Sequence, residues 1–453
     1  MGYPKPRPPL PSGPYLVVGL ARSGQAAARL LAGRGEEVIG VDAGSPPGAA
    51  RLAEAGVEVN LDGQGIEHLE RIRCLVKSPG VPAQAPVVAL ARARGRAVIG
   101  ELELAWRLLP NRFVAVTGTN GKTTATELGA EVWRAAGRPV AVAGNVGTPV
   151  ASLVGAISAG ATVLCECSSF QLEDTESFAP ECAVLLNLSP DHLDRHGTFE
   201  RYAEAKLRIF ANQSNDDFAV FNGDQPELHG RDLGGCARRI AFCRTSRGSD
   251  CEVAVDGATI VAAGEPLVEV SELPLLGAHN VDNAMAVAAA ALAMGLDRDS
   301  VRGGLTSFEG VPHRLERVAE VGGALYVNDS KATNVAAARA AVLSFDGGVH
   351  AILGGSSKGE SFEALADALA EHTVACYLIG ETADDLERDL AAAWSAGVGL
   401  VRCDGLADAV RKASEAASEG EVVLLAPACA SFDSYRDYEE RGEHFRVLVE
   451  ELR

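Results

Sequence analysis

At 453 residues the chain is too long for a single hydrophobic core, and its 47% apolar and 23% charged residues are ordinary for a globular protein. A formal charge of -20 excludes broad binding to nucleic acid or to an anionic membrane, since either needs a basic face to displace counterions. No apolar run approaches the ~20 residues of a membrane span, and ten cysteines without a C-x-x-C pair read as reduced thiols, not as a zinc or disulfide framework.

The opening "MGYPKPRPPLPSGP" lacks the apolar stretch of a signal peptide, and its prolines enforce extended chain. Residues 1–14 are therefore expected to be a disordered leader on a cytoplasmic protein. "YLVVGLARSGQAAARLLAGRGEEVIGVDAG" (15–44) then reads strand, tight turn, helix, strand. Gly19 and Gly24 flank the turn and Asp42 ends the second strand, but Ala21 stands where a dinucleotide fingerprint has its middle glycine. A nucleotide-like ligand across this helix N-terminus suits the residues better than NAD or FAD. "CLVKSPGVP" is another strand ending in a turn, which carries Ser78. The helix "GELELAWRLLP" closes a first domain over 15–110.

"VAVTGTNGKTTATELG" (114–129) has a strand, a polar turn and a helix start. Gly118 and Gly121, with Thr119 and Asn120 between them, free backbone N–H groups to face phosphate. Lys122 can neutralise β and γ oxygens, the Thr123 hydroxyl can hold Mg2+, and Thr124 follows on the helix. Val116 departs from the glycine that opens the full phosphate-loop consensus. ATP is the expected ligand of a central domain, 111–311, whose strands "PVAVAG", "ATVLCEC", "CAVLLN" and "FAVFN" alternate with helices as in a parallel sheet.

Within "VLCECSSFQLE", Glu166 lies on a buried strand and needs a cation or a proton; a metal bridging ATP phosphates would serve, and so would an internal ion pair. In "LNLSPDHLDRHGTFERYAEAKLRIF", Asp191, His192, Asp194 and His196 fall in a loop after a strand. His192 could ligate a second metal or steer an amine. Asp194 and His196 read as solvent-exposed, and Lys206, on the amphipathic helix beyond, reads as a surface lysine. The Ala-rich "AHNVDNAMAVAAAALAMG" is apolar nearly all round and is expected to be buried.

Past "FEGVPHRLERV" a new strand set makes a third α/β domain, 312–453. "YVNDSKATN" puts Asn328, Asp329, Ser330, Lys331, Thr333 and Asn334 directly after a strand. "LGGSSKGE" adds Lys358, and "LAPACASFDSYRDYEERG" puts Ser431 after the last strand. Three polar strand ends in one domain suit a crevice for a small anionic substrate.

In this order "GTNGKTT", "GNVGTP", "ECSSFQLE", "DHLDRHG", "HNVDN", "PHRLE", "VNDSKATN" and "ACASFDSYRDYEERG" resemble the Mur ligases, the ATP-dependent amide-bond ligases that build the peptidoglycan stem peptide. The resemblance covers essentially the whole chain after the proline-rich start. "SSFQLE" and "VNDSKATN" are similar to the D-glutamate-adding branch, and the "DNPR" of the meso-diaminopimelate-adding branch is absent.

The resemblance implies an α/β fold of three domains: Rossmann-like N-terminal, P-loop ATPase-like central, and Rossmann-like C-terminal. It implies transfer of the ATP γ-phosphate to the carboxylate of UDP-N-acetylmuramoyl-L-alanine, then attack by the amine of D-glutamate. Lys122 would cradle the β and γ phosphates. Thr123 and Glu166 would hold one Mg2+, and His192 and Lys206, the latter as a carbamate, a second. Arg22, Ser23, Asp42 and Ser78 fall at the uridine diphosphate; Asn145, Ser168 and His192 fall at the muramoyl-alanine. Asn280, Asn283, Arg314 and Asp329 match adenine and ribose contacts, alongside the phosphate-loop residues. Lys331, Thr333, Lys358 and Ser431 match the D-glutamate site, beside the aromatic Tyr438. The third domain is expected to close over the second about "FEGVP", keeping water from the acyl phosphate. The implied partners are these small molecules alone, acting on a monomer.

Rival classes fit less of the chain. A P-loop motor or switch would need a Walker-B strand and an arginine finger or switch segments. A dinucleotide oxidoreductase would leave the phosphate loop idle. Folylpolyglutamate synthetase shares the loop but has no UDP-binding first domain, and a non-catalytic paralogue has no need to retain Lys122, Glu166, His192 and Lys206 together.

Overall fold

Strands buried on both faces need no polar alternation, and YLVV, VIGV and CLVK are buried throughout. They form the middle of the first of three sheets in a computed structural model that describes residues 5–228, 231–245, 251–275, 277–357, 361–391 and 397–453. Strands β1 (Tyr15–Val18), β2 (Val38–Val41), β3 (Glu58–Asn60), β4 (Cys74–Lys77) and β5 (Ala97–Gly100) run parallel in the order β3-β2-β1-β4-β5. In this doubly wound order the crevice opens between β1 and β4. The helix Arg22–Gly33 approaches the first turn so closely that a Cβ on Gly24 would lie 1.8 Å from the Gly19 carbonyl oxygen. Ala21, by contrast, has an ordinary φ of -69°, so the turn itself needs no glycine there.

The second sheet holds β6 (Arg112–Thr117), β7 (Val140–Gly144), β8 (Thr162–Glu166), β9 (Cys182–Leu185), β10 (Phe218–Asn222), β11 (Arg238–Cys243), β12 (Val253–Asp256), β13 (Thr259–Ala262) and β14 (Glu265–Glu269). Their order is β14-β13-β12-β11-β10-β9-β6-β8-β7. The pairs β12–β13 and β13–β14 are antiparallel, forming a meander on an otherwise parallel sheet. The third sheet holds β15 (Glu316–Val321), β16 (Ala324–Asn328), β17 (Val349–Gly354), β18 (Thr373–Ile379), β19 (Gly399–Arg402) and β20 (Val422–Leu425), ordered β15-β16-β20-β17-β18-β19. All its pairs but the antiparallel β15–β16 are parallel.

The chain forms two compact units, Met1–Glu272 with Asp282–Ser307, and Leu273–Val281 with Phe308–Arg453. The first unit contains two sheets because one helix, Glu101–Leu108, serves both cores. Leu104 packs among Val17, Leu31 and Val76, whereas Leu102, Ala105 and Trp106 pack among Phe113, Val163 and Phe178. Its Glu103 is fully buried yet fully satisfied. The carboxylate accepts the backbone N–H groups of Glu176, Ser177 and Phe178 at 3.0 Å each and Arg107 Nε at 2.7 Å. The Ala-rich helix Ala278–Ala293 is buried through 284–291, as its apolar turns require. Among the described residues no helix is long and apolar enough to cross a membrane.

Two expectations are corrected. Residues 5–14 are anchored, not a disordered leader: Lys5 pairs with Asp217, and Arg7 donates to Asn111 O at 2.9 Å and to Glu181 Oε1 at 3.1 Å. The Arg7 guanidinium also lies 4.3 Å from the Trp106 ring centre. Proline-rich chain is already extended, so fixing it costs little entropy and a few anchors suffice. Arg7→Ala is expected to destabilise the first unit by about 1–2 kcal/mol, read as a lower thermal midpoint with faster tryptic cleavage near the N-terminus. The thiols are likewise not all reduced: Cys243 and Cys251 form a disulfide. Cys243 ends β11 and Cys251 lies two residues before β12, its parallel neighbour.

Candidate active site

Strands β6 and β8 are parallel neighbours with Val116 beside Glu166, so the turn after one and the carboxylate ending the other must meet. The turn leads into the helix Lys122–Ala135. Gly121 has φ +82°, and a Cβ there would lie 2.4 Å from Asn283 Oδ1; glycine is required on both counts. Asn187, just after β9, holds the turn from the other side. Its carbonyl accepts Thr119 N–H at 3.0 Å, its Oδ1 accepts Asn120 N–H at 2.9 Å, and its Nδ2 donates to Asn120 O at 3.2 Å. The Thr119 hydroxyl accepts from Tyr202 and from Ser189 N–H, each at 3.0 Å. Thr124 is buried one turn into the helix. The loop is thus built before any ligand arrives.

Glu166 is 3% exposed, and among the described residues it is held by hydrogen bonds and not by an ion pair. Oε2 accepts the Thr123 hydroxyl at 2.8 Å and Oε1 accepts Asn145 Nδ2 at 3.0 Å. The 2.8 Å between Thr123 Oγ1 and Glu166 Oε2 matches the edge of an octahedron with Mg–O bonds of about 2.0–2.1 Å. Thr123 and Glu166 are thus two oxygen donors at a spacing that fits a hard cation, and they would hold it. Among the described residues no three His, Cys, Asp or Glu side chains cluster as a metal cage.

Two lysines converge on one oxygen. Lys122 Nζ donates to Gly118 O at 3.0 Å and Thr119 O at 2.8 Å, and Lys206 Nζ donates to the same Gly118 O at 2.7 Å. Lys206 is 2% exposed, which corrects its reading as a surface lysine: Tyr202, Ala203 and Ala205 of its helix are buried with it. Burial first, and then the Lys122 ammonium, push the Lys206 pKa well below that of an ordinary lysine. A lower pKa raises the share of neutral, nucleophilic amine at a given pH. His196 is also buried, not exposed as expected; its Nε2 meets Ser169 Oγ at 3.0 Å and its ring stacks on Phe170. Burial lowers its pKa as well. His192 keeps its ring about half exposed, 6.5 Å from the Tyr202 ring, while Lys206 Nζ lies 4.7 Å from that ring. The imidazole and the amine thus both neighbour the ring of Tyr202.

The uridine candidates gather at the ends of adjacent strands. Arg22 and Ser23 start their helix, Asp42 follows β2 and the buried Ser78 follows β4. Asp42 accepts Leu20 N–H at 2.6 Å and Gly44 N–H at 2.9 Å, so its carboxylate shapes the turn. Ser168 caps the short helix Ser169–Leu172, its Oγ accepting Gln171 N–H while Gln171 Oε1 accepts Ser168 N–H. Two residues without a role in the sequence reading join these sites. Lys77 is fully buried, pairs with Asp174 at 2.6 Å and donates to Val81 O at 2.7 Å. Arg195 donates to Val81 O at 3.0 Å and Glu173 at 2.9 Å, fixing the histidine loop to the turn after β4.

In the second unit, Asp329 follows β16 and accepts Leu315 N–H at 3.3 Å. Burial raises its pKa from 3.8 to about 6, against the pull of Arg314. Lys331 Nζ lies 5.5 Å from the Tyr438 ring, Thr333 N–H donates to Lys331 O at 2.8 Å, and Ser431 is buried beyond β20. Asn280 and Asn283, both buried, are one turn apart on the helix Ala278–Ala293. Lys358 lies outside the described residues. Between about pH 4 and pH 6 the folded Asp329 holds a proton that the unfolded chain has released, so stability falls as pH rises through that window. The shift is worth about 3 kcal/mol. Asp329→Asn is expected to flatten that slope, measured as denaturant midpoints of both proteins from pH 4 to pH 7.

Family models match the three parts in turn: a Mur ligase MurD-like N-terminal domain at residues 14–100, a Mur ligase middle domain at 116–291, and a Mur ligase glutamate ligase domain at 313–429. The chain is 43% identical over 444 residues to the UDP-N-acetylmuramoylalanine--D-glutamate ligase of Acidobacterium capsulatum, with 96% of this chain and 95% of that one covered. It is 42% identical over 446 residues to the enzyme so named in Pelotomaculum thermopropionicum, covering 97% of each. Among solved structures it resembles the UDP-N-acetylmuramate-alanine ligase of Thermotoga maritima, with a TM-score of 0.60 at 19% identity over 97% of this chain and 100% of that one. A pseudomurein peptide ligase type C from Methanothermus fervidus gives a TM-score of 0.58 at 18% identity over the same shares. At such identities the two structures speak to the fold alone.

Proposed function

The chain belongs to the Mur ligase family, and from that premise we propose that it joins D-glutamate to UDP-N-acetylmuramoyl-L-alanine at the expense of ATP. It is an amide-bond-forming ligase of peptidoglycan precursor synthesis. The observation that carries the catalytic reading is the meeting of Thr123, Glu166, Lys122 and Lys206 around the turn at Gly118.

The alanyl carboxylate attacks the γ-phosphorus of ATP, releasing ADP and leaving an acyl phosphate. The amine of D-glutamate then adds to the acyl carbon and loses a proton, and the tetrahedral intermediate expels phosphate as the amide forms. Backbone N–H groups of the 118–121 turn and the Lys122 ammonium hold the β and γ phosphates; Lys122 leaves its carbonyl contacts to do so. Thr123 and Glu166 would hold Mg2+, which when bound neutralises phosphate charge. His192 and a carbamylated Lys206 would hold a second ion, the carbamate turning a cation into a carboxylate-like ligand. Arg22, Ser23, Asp42 and Ser78 take the uridine diphosphate, and Asn145 and Ser168 the muramoyl-alanine. Asn280, Asn283, Arg314 and Asp329 take the adenosine, and Lys331, Thr333, Lys358 and Ser431 the D-glutamate.

The test is phosphate release and amide formation with Mg2+-ATP and UDP-N-acetylmuramoyl-L-alanine, adding D-glutamate, L-glutamate, L-lysine or meso-diaminopimelate in turn. Stoichiometric phosphate and product with D-glutamate alone is the expected result. Product with another amino acid instead would move the chain to a sibling step, and phosphate release without the UDP-substrate would overturn the ligase reading.

A further inference from the structure

Arg441 is the largest cation buried in the second unit, 1% exposed, on the helix Tyr438–Glu450. Among the described residues no carboxylate pairs with it. All five guanidinium N–H donors are nonetheless used. Nε donates to Ser330 Oγ at 3.0 Å, and Nη2 donates to Ser330 O at 2.9 Å and Cys429 O at 3.1 Å. Nη1 donates to Ala430 O at 3.2 Å and Gly354 O at 3.5 Å.

These acceptors belong to three loops that leave the C-terminal ends of β16, β17 and β20, which are neighbours in the sheet. Ser330 immediately precedes Lys331, and Cys429 with Ala430 immediately precedes Ser431. The loops are also tied pairwise: Asp329 N–H donates to Leu425 O at 2.8 Å, Gly354 N–H to Pro427 O at 2.8 Å and Ser356 N–H to Ala430 O at 2.9 Å. A planar fork with five fixed donors is the one side chain that can bind all three loops at once; a lysine has the charge but not the reach. The same helix starts at Tyr438, whose carbonyl accepts Ser330 Oγ at 2.8 Å and whose ring faces Lys331.

We infer that Arg441 is a positioning residue for the amino-acid substrate, holding the loops of Lys331 and Ser431 in the register that receives the D-glutamate carboxylates. This rests on the D-glutamate reading given above. The arginine does not touch substrate; it sets the spacing of the groups that do.

The experiment compares Arg441→Lys, Ser330→Ala and Phe445→Leu by steady-state kinetics in each of the three substrates, with thermal midpoints alongside. Phe445 is buried on the same helix but packs into the core, so its variant reports destabilisation alone. Arg441→Lys is expected to raise the KM for D-glutamate about tenfold or more while the KM values for ATP and the UDP-substrate stay within about twofold. Ser330→Ala, which removes one acceptor, should give a smaller rise of the same kind. Phe445→Leu should lower the midpoint and leave the D-glutamate KM in place. An unchanged D-glutamate KM in Arg441→Lys, an equal rise in all three KM values, or the same selective rise in Phe445→Leu would overturn the inference. If Arg441→Lys does not fold, Ser330→Ala decides by the same criterion. Wild-type protein that turns over another amino acid but not D-glutamate would instead fail the functional reading, before any variant is compared.

Discussion

Glu166→Gln is expected to lower ligase turnover by about 10²–10³-fold with little change in thermal midpoint. The substitution keeps the shape of the side chain. The Thr123 hydroxyl and the Asn145 amide, which now donate to the two carboxylate oxygens, can each still find a partner on a glutamine. What is lost is one negative charge at the place where a hard cation would sit against Thr123. The Mg2+ concentration needed for half-maximal rate should therefore rise together with the fall in kcat. Normal turnover at normal Mg2+ in Glu166→Gln would remove this carboxylate from the reaction.

Lys206 carries the second large effect. Desolvation and then the Lys122 ammonium lower its pKa, which favours the neutral amine, the form that can add to CO2 with formation of a nitrogen–carbon bond and loss of a proton from nitrogen. The N–H that remains can keep the 2.7 Å bond to Gly118 O while the new carboxylate points onward. Lys206→Ala is expected to cost about 10³-fold in kcat, and Lys206→Arg to recover none of it, because a guanidinium stays charged and forms no carbamate. Wild-type enzyme in CO2-free buffer should lose rate and regain it with bicarbonate. A Lys206→Arg variant within tenfold of wild type would sink the carbamate idea. Stability gives an independent check. Because folding lowers this pKa, the folded state carries fewer protons than the unfolded chain below about pH 10, so stability rises with pH from the depressed value upward. Lys206→Met should remove that rise.

The phosphate turn and the polar strand ends were legible because their residues are local: an apolar strand, then glycines and donors, within a dozen positions. The sheets were legible where strands are continuous apolar runs. The meander β12 to β14 was not, since Val253–Glu269 alternates at short range and half its residues face water. Lys206 and His196 were misplaced for a different reason. Helical periodicity tells which residues share a face, but not that Tyr202 and Phe170 will cover it. Lys77, Asn187 and Arg441 have partners far away in sequence, 111 residues in the case of Arg441 and Ser330, and no local pattern announces such a bond. Residues 5–14 are anchored against expectation because composition reports how a free segment behaves, and Arg7 is held by Asn111, Glu181 and Trp106.

The helix Glu101–Leu108 answers to two cores at once, Leu104 and Leu108 to one and Leu102, Ala105 and Trp106 to the other. Its leucines cannot drift independently in evolution: a change tolerated by one sheet is vetted by the other, and compensating substitutions should be sought on both. The same holds at the bench. A chimaera that exchanges the module of the first sheet for a relative's, joined after Pro110, would import a helix with one foreign face and leave the central core badly filled. A joint placed before Glu101 keeps both the helix and its Glu103 anchor with the segment that supplies all four hydrogen bonds to that carboxylate, and confines the mismatch to Leu104 and Leu108.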